Sequence, residues 1–275
     1  MIKLLIILLF SPLLGDDGAG YRFVNEIETK EIMDMEMITD YGVGIYNYMS
    51  NFSGRIVTEY MGIENGNYML KQTWSNIIAT DRRNDELRIN HKAQKLNGTQ
   101  YIITADSAGE FTREGVDDMA KEMEEANTAF MYFSAQGNIL FPLGSDSLRH
   151  IGDTWTIHTE KHLDEFPGFE SSDTDLIDDI TYTFEKIKKK KGKIIAIISG
   201  EEKLEMKMTT NTWDESWEMN VGGVFKLKIE YNVTDKKIIK CRLRGNIKGD
   251  GIDLLDDSSI SFNENMDMLC KIKLK

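Results

Sequence analysis

The chain is poor in the residues that most often carry chemistry. Its 275 residues include two cysteines, four histidines and three prolines. Only His158 and His162 lie close together in sequence, and with no third histidine nearby a tight zinc centre is not formed. There is no Gly-x-x-x-x-Gly-Lys-[Ser/Thr] phosphate loop and no Gly-x-Ser-x-Gly nucleophile elbow. The reading is therefore of a non-enzymatic protein without a cofactor. Basic charge is also scarce. A net charge of −13 argues against nucleic acid and against docking on anionic lipid headgroups. Long apolar runs are missing as well: the longest, Leu4 to Leu14, falls short of the roughly 20 residues that a spanning helix needs.

That short run has a different use. Lys3 supplies a positive start, Leu4 to Leu14 an apolar centre broken by Pro12, and Gly15 or Gly20 a small residue for cleavage. This is a secretory signal pattern. Residues 1–20 are assigned to it, and the remaining chain is expected to be exported, periplasmic or extracellular, with no transmembrane segment. In an oxidising compartment Cys241 and Cys270 can form a bridge, or they can remain two buried thiols; both readings stay open.

The first half alternates with a period of two. Met33, Met35 and Met37 are separated by Asp34 and Glu36, which marks a strand with one buried face. Arg55 to Ile63, Glu64-Asn65-Gly66-Asn67 and Tyr68 to Trp74 read as strand, tight turn and returning strand. Short strands follow over Glu86 to Lys92 and Gln100 to Thr104. The period then changes: Val116, Met119, Ala120, Met123, Phe130 and Phe133 fall at helical spacing. With Thr112 as N-cap, one amphipathic helix is predicted over 113–133. Pro142 and the turn pair Gly152-Asp153 form a seam, and Trp155 opens the next apolar run.

The second half is again β. Asp164 to Asp179 reads as an acidic, solvated loop, and the segments from Ile180 to Thr210 as a meander whose first turn is Lys188 to Gly192. Phe225, Leu227, Ile229, Tyr231 and Val233 take odd positions, as do Cys241 and Leu243. Met266, Met268, Cys270, Ile272 and Leu274 take even ones. One apolar face per strand marks an antiparallel sheet covered on one side. The expected fold is mainly β (α+β): two antiparallel curved sheet units, residues 21–135 with the helix and 136–275, or one continuous domain made of both.

The order of several short motifs resembles a family of exported bacterial proteins classed as a domain of unknown function. These are the strand pair Tyr60 to Trp74, the segment Leu96-Asn97-Gly98-Thr99-Gln100-Tyr101, the turn at Gly109, Phe141-Pro142, and Gly152-Asp153-Thr154-Trp155. The resemblance spans roughly residues 21–255. It implies an exported β-rich protein and brings no activity. More loosely, the topology is similar to half-barrel periplasmic carriers of lipids and lipoproteins, an analogy of fold alone.

Three functions follow as expectations. The first is an exported binding protein that holds a lipid-like, apolar or amphipathic molecule between sheet and helix, lined by Met119, Met123, Phe130 and Trp155. The second is a structural or protein-interaction module of the cell envelope with a filled core. The third is a Cu(I)-handling protein that uses the thioethers of Met33, Met35 and Met37. Methionine is also an adaptable core filler, and large aromatics such as Trp155 are mostly core.

Overall fold

A computed structural model describes residues 20–23, 30–43, 46–83, 86–105, 111–112, 145–163, 171–211, 216–255 and 257–274. Fourteen strands account for nearly all of them. In chain order they are β1 (Tyr21–Phe23), β2 (Lys30–Val43), β3 (Tyr46–Glu64), β4 (Asn67–Arg83), β5 (Glu86–Ile89), β6 (Gln100–Ala105) and β7 (Phe111–Thr112). Then come β8 (Ser145–Arg149), β9 (Thr154–Leu163), β10 (Ser171–Lys190), β11 (Lys193–Asn211), β12 (Ser216–Asn232), β13 (Lys237–Asp253) and β14 (Ser259–Leu274). Twelve of them form one sheet in the order β7-β6-β4-β3-β2-β14-β13-β12-β11-β10-β9, with β5 also paired to β4. Strands β1 and β8 form a separate two-stranded ribbon.

This corrects the expected fold class. The two sheet units are one sheet, because β14 returns to pair with β2 and so joins the last strand of the chain to the first long one. The described residues are nearly all β. Among the described residues the only helix is α1 (His91–Gln94), a single turn. The long amphipathic helix expected over 113–133, with Met119, Met123 and Phe130, lies outside the described residues, as does the boundary at 135–136. A second correction concerns the acidic stretch before Ile180. Residues Ser171–Asp179 are not a loop but the start of β10. Their acids alternate: Asp173, Asp175 and Asp179 lie on one face and Asp178 on the other.

Long strands arise here because apolar and polar residues alternate over whole hairpins, and because turn chemistry sits at their tips. The β3–β4 turn has Asn65 and Gly66 at positive φ (49° and 85°), and the β10–β11 turn has Lys191 and Gly192 at 50° and 78°. These are the values that tight hairpins require. The Leu96–Tyr101 segment has its own logic. Asn90 caps α1 by accepting from Ala93 N at 2.9 Å. The side chain of Asn97 then replaces a strand partner for Ile77, accepting from its N–H at 2.8 Å and donating to its carbonyl at 3.2 Å. This satisfies the backbone where β4 bulges at Asn76, whose φ is 54°.

The register places the buried apolar positions on one face of the sheet, while Ile38, Ile102, Val224 and Ile252 are exposed on the other. Row by row, Trp74, Ile56, Met33 and Ile272 lie side by side across β4, β3, β2 and β14. Phe52, Met37, Met268, Leu243 and Leu227 form the next-but-one row, running from β3 to β12. These side chains belong to a single buried cluster. Each buried side chain of this size contributes roughly 1.5–3 kcal/mol.

Three aromatic rings on this face cover glycines directly opposite: Phe225 over Gly245, Phe262 over Gly249 and Tyr182 over Gly200. At Gly245 an added Cβ would lie 2.2 Å from the Phe225 ring and 2.4 Å from the Val224 carbonyl oxygen. Rotating the ring does not relieve the backbone clash, so Gly245→Ala is expected to destabilise the protein by roughly 2–3 kcal/mol in urea denaturation. The control is Gly222→Ala, where the nearest atom is 3.9 Å away; it is expected to cost a few tenths of a kcal/mol at most. Equal costs for the two would contradict this packing.

Candidate functional site

The apolar face divides into a sealed part and a half-open part. In the sealed part Trp74, Met35, Cys270, Cys241, Ile229, Ile198, Phe184 and Tyr182 are all essentially without solvent contact. The half-open part lies at the start of β10, the end of β11 and the start of β12. Met206, Met208 and Val221 form a separate cluster there, with Leu176, Met219, Ile247 and Phe262 packed on it and still partly exposed.

Carboxyl groups stand along the border between the two parts. On β11, Glu202 lies in register with Ile180 of β10 and Phe225 of β12. Two residues further along, on the same face, Asp178 of β10 lies across from Leu204. On β14, Glu264 lies across from Ile247 of β13. All three keep partial exposure. Burial against the apolar face, and then the charge of Asp178, push the Glu202 carboxyl up to about 8 from an ordinary 4.5. Burial alone pushes Glu264 up to about 7. Glu202 is therefore largely protonated at neutral pH and can donate a hydrogen bond, while the Asp178 carboxylate can accept one. The hydroxyls of Tyr182 and Thr174, fully buried nearby on β10, have no hydrogen-bond partner among the described residues. A polar border therefore runs along a methionine-rich patch, an arrangement suited to a molecule with an apolar body and one polar end.

The residues singled out from the sequence occupy different places. Trp155 sits at the contact between the β1–β8 ribbon and the sheet. Its ring centroid is 5.4 Å from that of Tyr182, and the Arg149 guanidinium lies 5.0 Å above it. Tyr21 of the same ribbon packs edge-on to Phe184 at 5.7 Å. Met33, Met35 and Met37 all face the sealed part, flanked by Ile56, Gly54 and Phe52 on β3 and by Ile272, Cys270 and Met268 on β14. Cys241 and Cys270 are free thiols, opposite each other in register. Burial drives both thiols upward, Cys270 to about 12, which keeps them protonated and unreactive. The histidines on the polar face each meet an opposing aspartate: His158 Nδ1 lies 2.7 Å from Asp179 and His162 Nδ1 lies 2.9 Å from Asp175.

Sequence reasoning missed Glu202 and Glu264, and placed Asp178 in a solvated loop. A signal was present: Glu202 falls in phase with Leu204, Met206 and Met208, and Asp178 in phase with Leu176 and Ile180. An acid at an apolar position of an alternating strand is the mark to look for. No protein-family model matches the chain, and no curated protein is similar to it in sequence. Among the described residues no helix is long and apolar enough to cross a membrane.

Glu202 gives a pH prediction. Its carboxyl holds a proton in the folded protein up to about pH 8 and releases it on unfolding above about 4.5. The unfolded chain thus binds fewer protons within that window, and stability falls as pH rises through it. Glu202→Gln is expected to flatten this fall. It should add roughly 1–3 kcal/mol at about pH 9 while changing little at about pH 4, as measured by urea denaturation across pH. Parallel pH–stability curves for the two proteins would contradict the assignment.

Proposed function

We propose that the protein is an exported, non-enzymatic binding protein that holds an amphipathic molecule on the apolar face of its sheet. The apolar body of the ligand rests on Met206, Met208, Met219, Leu176 and Phe262. Its polar end meets the border formed by Glu202, Asp178 and Glu264. A protonated acid beside a carboxylate matches a hydroxyl, amide or amine, groups that both donate and accept or that carry positive charge. One observation carries the reading: carboxyls stand at apolar positions of the strands, beside a cluster in which Met206 and Met208 are buried while Leu176, Met219, Ile247 and Phe262 around them keep partial exposure. A filled core gains nothing from such groups, whose burial costs free energy. Flexible thioether side chains suit a patch that must fit chains of varied shape. Export rests on the signal pattern at Lys3 and Leu4 to Leu14.

An interaction module with a filled core is the competing reading, and the sealed part of the same face is consistent with it. Native mass spectrometry of the protein purified from an exporting host, before and after organic extraction, separates the two. A reproducible mass excess that disappears on extraction is expected, and it should be smaller in a Met206→Gln/Met208→Gln variant. A bare chain mass in every preparation would overturn the proposal.

A further inference from the structure

The opposite face of the sheet holds an independent feature. Across β9 to β13 the polar face is grooved, with a cavity of about 860 Å³. At about 4.8 Å per strand, these five strands give it a length of about 19 Å. Five cations line it: Lys203, Lys226, Lys228, Arg242 and Arg244. Two acids, Asp179 and Glu201, line it as well. In a chain of net charge −13 this is a local reversal of sign.

The cations are arranged by register. Lys226 faces Arg244 and Lys228 faces Arg242, a two-by-two set on β12 and β13. The arginines are held from the far side. Asp267 of β14 accepts from Arg242 Nε at 2.9 Å and Nη2 at 2.7 Å, and from Arg244 Nε at 2.9 Å. These hydrogen bonds hold the Asp267 carboxyl below its usual range, so it stays ionised and fixes both guanidinium groups. One carboxylate therefore serves two arginines. The lysines have less. Glu201 stands opposite Lys226 in register, but its carboxylate lies 3.8 Å from Lys203 instead. Lys228 stands opposite Ser199, whose hydroxyl donates to Glu185 at 2.6 Å. Neither Lys226 nor Lys228 has an ion-pair partner among the described residues.

The rest of the wall forms hydrogen bonds rather than stacking contacts. Thr156 and Thr181 lie 2.9 Å apart across β9 and β10, and Thr183 is next along. No aromatic side chain lines the groove among the described residues, so there is no platform for a nucleobase. Hydroxyls and carboxylates beside fixed cations suit a ligand that is rich in hydroxyl groups and carries separated negative charges.

We infer that this groove is a binding site for an anionic carbohydrate, with Lys226 and Lys228 as the principal contacts to its acidic groups. The anionic group itself can be sulfate, phosphate or carboxylate, since ammonium groups recognise all three as point charges. The site is separate from the apolar face, and its test does not depend on what that face binds.

The test is calorimetric titration of the full exported protein with a heparin-derived hexasaccharide and a polygalacturonate oligomer of similar length. The controls are a neutral dextran oligomer and inorganic pyrophosphate. At least one acidic oligosaccharide is expected to bind, more weakly at higher salt, and the dextran is not. Lys226→Ala/Lys228→Ala should weaken binding tenfold or more without lowering the urea midpoint, because both side chains are exposed. A Lys188→Ala/Lys189→Ala variant in the distant β10–β11 hairpin should bind like the parent. The inference is overturned if no acidic oligosaccharide binds, if the hairpin variant loses as much affinity as the groove variant, or if pyrophosphate binds as tightly as the saccharides.

Discussion

The pairing of β14 with β2 is the contact on which the rest of the structure depends. It runs from Phe262 opposite Val43 to Leu274 opposite Glu31, so nearly the whole of both strands is engaged. Without it, β2 to β7 and β9 to β14 would be two meanders, each with an unpaired long edge. With it, the apolar faces of both halves become one surface. Met35 and Met37 complete rows that continue through Cys270 and Met268 into Cys241 and Leu243, and Met33 meets Ile272. Flexible sulfur-bearing side chains at the join accommodate the meeting of two meanders, as a more rigid β-branched row would not.

The same surface explains where chemistry is absent and where it concentrates. In the sealed part, thiols, thioethers and aromatic rings are packed as ordinary core. Close ring-over-glycine contacts at Gly200 and Gly245 leave little room between strand and ring. At its border, Glu202 and Glu264 lie where a carboxylate is costly, and both respond by holding a proton into the neutral range. The polar face works in the opposite way: its charges stay in water, and their pattern is set by cross-strand register rather than by burial. One sheet therefore offers two unlike surfaces, an apolar one with a protonated border and a grooved polar one with a cationic floor.

Much of the β architecture was legible in the sequence, because alternation directly encodes a one-sided strand. The Met33–Met37 run, the Asn65-Gly66 and Lys191-Gly192 turns, and the phases of the strands ending at Asn232, Asp253 and Leu274 follow from it. What alternation does not encode is which strands become neighbours, so the joining of two units through β2 and β14 was not visible. The acidic start of β10 was misread for a related reason. Ser171–Asp179 has the composition of a loop, and only its pairing with β9 and β11 shows that Thr174, Leu176 and Asp178 share a buried phase. The border acids were hidden by the same rule that found the strands, since a polar residue at an apolar position reads as the end of a run. The groove depends on five cations brought together from β11, β12 and β13 and was equally out of reach.

A single cooperative sheet is the central claim, and tryptophan fluorescence tests it most directly. Trp74 on β4 and Trp155 on β9 lie on opposite sides of the β2–β14 join. Variants that retain one or the other as the sole tryptophan can be unfolded in urea and followed separately. If β14 joins the two halves into one sheet, both probes should report the same midpoint and the same slope. Two well-separated transitions, with one half folded while the other is not, would contradict it.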